Sequence, residues 1–393
     1  MTAPIITSDV QALAVAEQIA QRLQTGSSER DRERRLPHAE LALFSGSGLW
    51  AISVPKAFGG AGVSNVTLAQ VVARIAQADA SLGQIPQNHF YALEVLRVNG
   101  SPEQQQRLYA EALAGRRFGN ALAELGTKTA HERTTRLTRD GAGYRIDGRK
   151  FYATGALYAQ RIPTSVVDDE GRQHLAFVPA DGRGVQVIDD WSGFGQRTTG
   201  SGSVQFDHVY VEANDVVPFD TAFERPTPVG PLAQILHAAI DTGIARAAYE
   251  DTLKFVRTRS RPWIDSGLSS ASEDPLTLKS VGHLAIRLHA AEALLERAGE
   301  HLDRAQADTT AETVAAASIA VAEARAISTE IALAAGTTLF ELAGSQATLA
   351  EHNLDRHWRN ARVHTLHDPV RWKYHAIGNY YLNDERPPRR GTI

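Results

Sequence analysis

Cysteine is absent from this 393-residue chain, and a strong net charge is absent as well. Without cysteine the protein has no disulfide, thiol nucleophile or thiolate metal ligand, which is typical of a cytoplasmic protein. No apolar run approaches the roughly 20 residues that a membrane-spanning helix needs, and residues 1–20 show no secretory leader. The net charge of −4 gives no general attraction to nucleic acid or anionic lipid. We therefore expect a cytoplasmic protein that binds neither nucleic acid nor a membrane.

The composition that remains is that of a globular protein, with 43% hydrophobic and 22% charged residues, and the length suggests two or three compact units. Up to about Gly115 the pattern is helical. Apolar residues recur at helical spacing in Val10–Leu23 and Val66–Ala80, and Ser101-Pro102-Glu103-Gln104 resembles a capping box. The charged run Glu29–Arg35 is interpreted as a solvated helix end or loop.

From Arg117 to about Pro218 the pattern changes to short β-branched and aromatic segments separated by turn residues. Turns every eight to twelve residues or so predict an antiparallel β-barrel or sandwich. The expected strands are Thr134–Thr138, Tyr144–Ile146, Lys150–Ala153, Ser165–Val167, Leu175–Val178, Val185–Ile188 and Val204–Val211.

After Pro228 the sequence is again helical and rich in alanine, in Leu232–Arg257, Pro275–Asp303 and Ala311–Leu342. Such long periodic segments with few aromatic residues predict a tightly packed four-helix bundle. The fold class is therefore α+β. The expected units are an N-terminal helical domain over residues 1–115, a middle β domain over 116–227 and a C-terminal bundle over 228–393.

A histidine-containing stretch near the end, residues 356–369, is the strongest local candidate for a site. It starts with arginines at a spacing of three, which lie on one helix face, and continues with His364 and His367. Asp368 and Pro369 are a favourable N-cap and first residue, so they predict a last helix over Val370–Leu382. The two histidines would then lie in the connection between two helices, a common place for functional residues.

Nucleotide-binding glycine motifs are missing. Gly193-Phe194-Gly195 and Gly200-Ser201-Gly202 are not followed by a helical pattern, and neither completes G-x-G-x-x-G, so no Rossmann site is expected. Walker A, H-E-x-x-H and G-x-S-x-G motifs are also absent. No metal site is predicted.

Two segments of the β region have both a structural and a functional interpretation. Asn120–Glu124 ends an expected strand, and Gly148–Ala156 reads as a hairpin strand that ends in a threonine and small residues. They can be an ordinary hairpin. Alternatively, their backbone N–H groups and the Thr154 hydroxyl form a flat wall for a planar ring with polar edges.

Taken together, these features resemble the acyl-CoA dehydrogenase superfamily over residues 10–385, essentially the whole chain. The resemblance rests on the α–β–α order and on the motifs Gly148-Arg149-Lys150-Phe151-Tyr152-Ala153-Thr154-Gly155-Ala156, Gly193-Phe194-Gly195-Gln196-Arg197 and Arg359-Asn360-Ala361-Arg362. Ala80-Ser81-Leu82-Gly83 and His364-Thr365-Leu366-His367-Asp368-Pro369 are similar to the flavin-dependent monooxygenase branch. Dibenzothiophene monooxygenase and the sulfur-acquisition oxidoreductases are the family that it resembles.

The chain departs from the dehydrogenase pattern at the catalytic base. Asp368 stands near the place of the glutamate that removes the substrate proton in dehydrogenases, and its shorter side chain is expected to cap a helix. An error of about 1 Å in a catalytic group can cost roughly 10²-fold in rate. The glycine-rich run that helps to hold FAD in dehydrogenases reads Ala343-Gly344-Ser345-Gln346-Ala347 here, which favours FMN over FAD.

The resemblance implies a set of flavin contacts. These are Asn88, Asn120, Ala121, Leu122, Ala123, Glu124, Lys150, Phe151, Tyr152, Ala153, Thr154, Arg257, Ser345, Gln346 and His367, some of them reaching a flavin in a neighbouring subunit. Arg257 matches the arginine that meets the flavin phosphate, an anion that suits a planar guanidinium. Two departures, Gln84 and Asn88, fall on the expected substrate side.

The activity that the resemblance implies is that of a two-component monooxygenase. A separate NAD(P)H-dependent reductase supplies reduced FMN by diffusion. O₂ forms a C4a-hydroperoxyflavin, and one oxygen atom passes to a small apolar substrate that contains sulfur. His367 would stabilise or protonate that intermediate, with His364 and Thr154 in support, because histidine titrates near neutral pH. Tyr91, Trp191, Phe194 and Trp263 are candidates for an apolar pocket, and a homotetramer is expected.

Two alternatives stay open from the sequence. One is an FAD-dependent acyl-CoA dehydrogenase with Asp368 as its base. The other is a catalytically inactive relative of the same fold that acts as a binding protein. The histidines could also simply cap helix ends.

Overall fold

The structure, a computed structural model, describes residues 3–129 and 132–393. Its N-terminal part is helical, as predicted. The helices are α1 Asp9–Gln24, α2 Ser27–Glu33, α3 His38–Ser45, α4 Asn65–Ala78, α5 Ala80–Gln84, α6 Gln87–Asn99 and α7 Pro102–Leu113, with 3-10 turns at Leu49–Ala51 and Lys56–Phe58. The predicted capping box of α7 is confirmed. The Ser101 hydroxyl accepts from the Gln104 N–H at 3.2 Å, and the Gln104 side chain accepts from the Ser101 N–H at 2.9 Å.

The charged run Glu29–Arg35 is not wholly solvated, so that interpretation is wrong for two of its residues. Arg30 and Asp31 are buried at 1% and 8% exposure. Arg30 donates to Asp79, and Asp31 accepts from Arg359 of the C-terminal part at 2.6 Å. Ion pairs with partners far along the chain satisfy these charges, and a charge run by itself does not reveal such partners.

The middle part is one seven-stranded sheet. The strands are β1 Arg136–Asp140, β2 Gly143–Lys150, β3 Arg161–Val167, β4 Gln173–Pro179, β5 Val185–Ile188, β6 Ser203–Glu212 and β7 Val216–Pro218, with 3-10 turns at Ala156–Tyr158 and Ala213–Asp215. Their order is β5-β6-β2-β1-β3-β4-β7. The expected antiparallel arrangement holds except at β1 and β3, which pair in parallel with Arg136 opposite Val167. The sheet is therefore mixed, because β3 joins β1 after a long connection instead of a hairpin.

The C-terminal part contains the predicted long helices. They are α9 Val229–Thr258, α10 Pro275–Ala307 and α11 Ala311–Ala343, with the shorter α8 Thr221–Glu224, α12 Asp355–His364 and α13 Arg371–Asn383 and 3-10 turns at Ile264–Ser266, Ala271–Glu273 and Ser345–Thr348. Helix α11 is long and apolar enough to cross a membrane, but half of its most apolar window is buried in the protein. It packs on α9, α10, α12 and α13, and we interpret it as the central helix of the bundle.

The N-terminal and C-terminal helices share one hydrophobic core, because α4 packs directly on α9 and α10. A Cβ at Gly243 of α9 would lie 2.3 Å from the Ala73 carbonyl oxygen, so only glycine permits this approach. The sheet forms a second core of its own. The sequence-based division into three units at residues 115 and 227 stays a prediction.

His89 of α6 links the N-terminal helices to Phe118, at the start of the middle part of the chain. Its Nε2 contacts the Trp50 carbonyl at 2.7 Å and its Nδ1 accepts from the Phe118 N–H at 3.1 Å. Since a carbonyl can only accept, Nε2 carries the proton and the ring is neutral. Burial lowers the pKa of His89 to about 4.

This buried neutral ring predicts acid sensitivity. In the unfolded chain His89 takes up a proton near its ordinary pKa of 6.5, whereas in the folded chain it does so only near 4. Stability is therefore present above pH 6.5 and is lost as the pH falls towards 4, by about 3 kcal/mol from His89. Urea unfolding of the wild type and His89→Gln at pH 4 to 7 should show a shallower pH dependence in the variant. Equal slopes would contradict this assignment.

Candidate active site

A cavity of about 920 Å³ lies between the sheet region and the helices. That volume lies in the range of roughly 300–1,000 Å³ found for small-molecule and cofactor sites. Its walls come from helices α5, α6 and α9, from the two segments that precede and follow the central strands, and from the region after α12. The chain therefore brings widely separated residues to one site.

The two segments predicted as a flat wall do lie side by side on this cavity. The Phe151 N–H donates to the Ala123 carbonyl at 3.0 Å, and the Asn120 side-chain amide donates to the Tyr152 carbonyl at 3.1 Å. Tyr152 has a φ of 54°, the left-handed region that a bulky side chain rarely occupies. Backbone strain of this kind is common at binding sites, where the surrounding structure enforces it.

Two predicted contacts in these segments point away from the cavity. The Lys150 ammonium lies 2.5 Å from the Glu124 carboxylate and 3.1 Å from the Ser165 hydroxyl, and neither Lys150 nor Glu124 lines the cavity. Burial opposes the ionisation of Glu124, but hydrogen bonds from Lys150 and Thr134 outweigh it and lower the pKa of Glu124 to about 2. Burial lowers the pKa of Lys150 to about 8 in spite of Glu124, so the pair is ionised at neutral pH. It supports the wall from behind.

Thr154 ends this wall in a chain of hydroxyl groups. Its Oγ1 lies 2.7 Å from the Ser201 Oγ, which lies 2.7 Å from the Thr199 Oγ1. The Thr199 hydroxyl donates to the Gln196 carbonyl at 2.9 Å. If each hydroxyl donates to the next, the Thr154 proton is committed to Ser201. Thr154 then presents lone pairs to the cavity and can accept a hydrogen bond from a ligand N–H.

Two buried amide side chains on the cavity wall have atoms without a hydrogen-bond partner among the residues that the structure describes. Neither the Oε1 nor the Nε2 of Gln196 has a hydrogen bond, although the residue is 1% exposed. The Oε1 of Gln84 also lacks one. An unpaired buried polar group costs about 1–3 kcal/mol. Such atoms fit a site whose bound ligand supplies donors and acceptors.

The histidines form a cluster of three rather than the predicted pair. His364 is the last residue of α12 and not part of the connection, whereas His367 lies in the connection. His237 of α9 joins them, with ring centroids 5.2 Å from His364 and 4.7 Å from His367. His237 and His367 line the cavity, while His364 lies behind them and is fully buried.

A buried carboxylate orients this cluster. The His364 Nδ1 lies 2.6 Å from an Asp241 oxygen, and Arg325 donates to the other oxygen of Asp241. A carboxylate accepts, so His364 is protonated at Nδ1 and its Nε2 can accept from the His237 Nδ1–H at 3.2 Å. Burial opposes the ionisation of Asp241, but Arg325 and His364 hold the pKa of Asp241 below its usual range.

His367 is held in one tautomer by its backbone neighbour. Its Nδ1 donates to the His364 carbonyl at 2.7 Å, which leaves Nε2 as an acceptor from the Gln84 side-chain amide at 3.2 Å. Burial and the His364 ring lower the pKa of His367 to about 4, although one side of its ring is open to the cavity. Burial holds the pKa of His237 well below 6.5, and the neighbouring rings of His367 and His364 lower it further. His367 and His237 are thus neutral at pH 7 and act by hydrogen bonding rather than as imidazolium acids.

Asp368 does not cap the last helix, so that prediction is wrong. The helix starts at Arg371 with Val370 at the cap position and no side-chain cap. The Asp368 carboxylate is buried and accepts from the Gln234 side-chain amide at 2.8 Å. It does not line the cavity, so it is badly placed to be the base of a dehydrogenase. The predicted arginine face does anchor α12, because Arg356 pairs with Asp251 and Arg359 with Asp31.

The remaining predicted residues divide into three groups. Asn88, Asn120, Leu122, Ala123, Phe151, Tyr152, Thr154 and His367 line the cavity together. Ala121 and Ala153 lie in the same segments but in the core of the sheet. Arg257, Ser345 and Gln346 lie at the end of the bundle, outside the cavity lining of this chain. Of the expected aromatic residues, Tyr91, Trp191 and Phe194 line the cavity, whereas Trp263 is 70% exposed outside it, so that expectation is wrong.

Four residues of the site were not predicted from the sequence as site residues: His237, Asp241, Gln196 and Ser201. One signal existed, because His237 and Asp241 are four residues apart on a predicted helix and thus on one face. Their partner His364 is more than 120 positions away along the chain, and only the folded structure shows that they meet.

This architecture, a helical unit, a middle sheet and a helical bundle around a cavity with polar walls, is that of the acyl-CoA dehydrogenases. Residues 10–116 match the acyl-CoA dehydrogenase N-terminal domain, and residues 235–372 match a C-terminal domain of the same family. The chain belongs to this family.

Three similar proteins place the chain more narrowly. It is 34% identical to the probable FMNH₂-dependent monooxygenase SfnC of Pseudomonas putida, over 98% of each chain. It superposes on FMN-bound TdsC, a dibenzothiophene monooxygenase of Paenibacillus sp. A11-2, with a TM-score of 0.93 and 32% identity over 97% of this chain and 100% of that one. Methanesulfinate monooxygenase MsuC of Pseudomonas fluorescens matches with a TM-score of 0.90 and 32% identity, over 97% and 99%. The resemblance to the monooxygenase branch is thus confirmed.

Proposed function

We propose that this protein is a flavin-dependent monooxygenase that uses reduced FMN and O₂ to oxygenate a small sulfur compound. One observation favours a monooxygenase over a dehydrogenase. Asp368 is turned away to Gln234, and Asp220, the one carboxylate residue among the described lining residues, accepts from the backbone N–H groups of Gln173 and Thr221. The cavity instead presents the neutral rings of His367 and His237.

The lining residues fit FMN. Asn120 and Thr154, with the backbone of residues 120–124 and 150–154, offer a polar edge. Trp191 and Tyr152 offer aromatic surface, and the unpaired amide of Gln196 offers both a donor and an acceptor. Bound reduced FMN supplies two electrons and activates O₂. The similarity to FMN-bound TdsC supports the same cofactor here.

The chain's own residues supply positioning and proton control. The lone pairs of Thr154 suit an N–H of reduced flavin, and the Nε2 of His367 can accept a hydrogen bond from a bound ligand in place of the Gln84 amide. The surrounding walls limit access of water, which protects a reactive intermediate from decay. In the overall reaction one oxygen atom of O₂ enters the substrate and the other leaves as water, while reduced FMN is oxidised to FMN.

The partners follow from this reaction. A separate NAD(P)H-dependent reductase supplies FMNH₂ by diffusion, in a cytoplasmic, two-component system. We further propose a homotetramer, because Arg257, Ser345 and Gln346 do not line this cavity and would instead reach the flavin of a neighbouring subunit. Light scattering tests the tetramer, and a monomer that still binds FMN would contradict this role for the three residues.

The function is tested with chemically reduced FMN, isotopically labelled O₂ and two sulfur probes, methanesulfinate and dibenzothiophene. We expect an oxygenated product that carries one labelled atom. Formation of this product should require the protein, and it should not occur when oxidised FMN is supplied instead of reduced FMN. Tighter binding of FMN than of FAD, measured by fluorescence quenching, is the accompanying expectation. An oxidised product that forms without O₂ would indicate a dehydrogenase instead.

A further inference from the structure

The segment Arg389–Thr392 forms part of the wall of the active-site cavity. It is fixed from behind by buried polar groups. The Lys373 ammonium donates to the Thr392 carbonyl at 2.6 Å, and the Gln234 side-chain amide donates to the Gly391 carbonyl at 2.6 Å. Lys373 also donates to Gln234 at 2.9 Å, so the two anchors form one network.

The position of this segment is built into helix α9. A Cβ at Gly230 would lie 2.6 Å from the Arg390 carbonyl oxygen, so glycine is required for the segment to lie there. Gly230, Gln234 and His237 follow one another along the helix at about one-turn intervals. At 1.5 Å rise per residue, the anchor Gln234 is only about 4.5 Å along the axis from His237. The segment therefore borders the histidine cluster.

The charges of this part of the cavity are mostly positive. The charged lining residues are Arg133, Arg389, Arg390 and Asp220, and Asp220 is already bound by two backbone N–H groups. Arg133 lies near Tyr91, since each affects the ionisation of the other. The Tyr91 hydroxyl is 3.8 Å from the Cβ position of Gly391. Arg133 and the segment Arg389–Thr392 thus approach the same tyrosine.

An apolar surface adjoins these cations. The rings of Tyr91 and Phe219 are 6.4 Å apart and those of Phe219 and Phe223 are 5.6 Å apart, and all three residues line the cavity. Such a pocket suits a molecule with an anionic end and a small organic end. Arginine is the side chain best suited to a planar or trigonal oxyanion, through paired N–H donors.

We propose that the substrate is a small organic sulfur acid, such as a sulfinate, and that Arg389 and Arg390 bind its oxyanion. Both arginines belong to the segment that Lys373 and Gln234 anchor at Thr392 and Gly391. This inference rests on the proposed function and makes it narrower, because it favours an anion over a neutral polycyclic thioether. A flavin phosphate has similar chemistry and is the source that the experiment must separate.

The test is equilibrium binding to protein saturated with oxidised FMN, by isothermal titration calorimetry. The probes are methanesulfinate and the neutral dimethyl sulfone, which is similar in size. The double variant Arg389→Ala/Arg390→Ala should weaken methanesulfinate binding by about 10- to 100-fold, as expected for lost charge-assisted hydrogen bonds, and change dimethyl sulfone binding by less than about twofold. Arg386→Ala is the matched control. Arg386 lies just before the segment in the chain, pairs with Glu312 and does not line this cavity.

Titrations with FMN and riboflavin separate the two sources of an oxyanion. If the arginines bind substrate, the double variant keeps its normal affinity for both flavins. A loss of FMN affinity without a loss of riboflavin affinity would assign them to the flavin phosphate and overturn the proposal. Unchanged methanesulfinate binding would overturn it too. A wild type that oxygenates dibenzothiophene but binds no sulfinate would refute this inference while the proposed monooxygenase function stands.

Discussion

Replacing His367 with alanine is expected to lower the rate of sulfur oxygenation by about 10²- to 10³-fold, the range found when one preorganised hydrogen-bonding group is removed from an active site. The structure places the His367 ring on the cavity, with its Nδ1–H bound to the His364 carbonyl and its Nε2 accepting from the Gln84 side-chain amide. Alanine removes that acceptor and leaves the Gln84 amide without its partner. Rates are measured with chemically reduced FMN, so that the reductase does not limit turnover.

The affinity for FMN should change by less than about threefold, because the hydroxyl and backbone contacts of the wall remain. His375→Ala is the control, since His375 is exposed on α13 outside the cavity lining. Because the low pKa of His367 keeps its ring neutral, the wild-type rate should show no titration of this residue between pH 6 and 8. Normal oxygenation by His367→Ala would remove His367 from the mechanism.

Replacing Asp241 with asparagine is expected to destabilise the protein by about 3–5 kcal/mol. Asp241 and Arg325 are both almost completely buried, and loss of the carboxylate leaves the guanidinium charge without its counter-ion. The same change leaves a single acceptor oxygen where His364 and Arg325 each use one oxygen of the carboxylate, so His364 loses its fixed tautomer or Arg325 its acceptor. Urea unfolding gives the change in free energy, and the oxygenation rate gives the effect on the histidine cluster.

The double variant Asp241→Asn/Arg325→Met separates these two effects. Removal of both charges should restore much of the stability, because no uncompensated charge is then left buried. Oxygenation should stay low, because His364 still lacks its carboxylate. Asp355→Asn, which breaks the pair with Arg359 at a carboxylate that is 58% exposed, should cost less than about 1 kcal/mol, because Arg359 keeps its pair with Asp31. A small effect of Asp241→Asn on both stability and rate would show that the pair does not organise the site.

The sequence was sufficient for the order of the elements and for two segments of the wall of the site. The long helices were predicted to within about four residues at each end, because their periodicity and caps are local properties. The segments around Asn120 and Thr154 could be identified because their motifs are continuous in the chain. Their role as a cavity wall then followed from the family that they resemble.

Predictions from the local sequence were wrong where a side chain could bind either a neighbour in the chain or a distant residue. Asp368 next to Pro369 is a favourable helix cap, yet its carboxylate binds Gln234, and Arg30 lies in a charged run yet is buried against Asp79. In each case a distant partner in a buried environment outweighs the local preference, because an unpaired buried charge or amide is costly. The parallel pairing of β1 and β3 is a non-local choice of the same kind.

By itself, the sequence determined an α–β–α fold without cysteine, the position of the histidine-containing stretch 364–367 and the identity of the wall segments. The tertiary structure alone decided that His237 completes the cluster, that Asp241 and Arg325 orient it, and that Arg389–Thr392 borders it. The physical reason is that the residues of α9 in these contacts meet partners more than 80 positions away along the chain. Their energy depends on burial and on hydrogen-bond geometry, which exist only after the helices have packed.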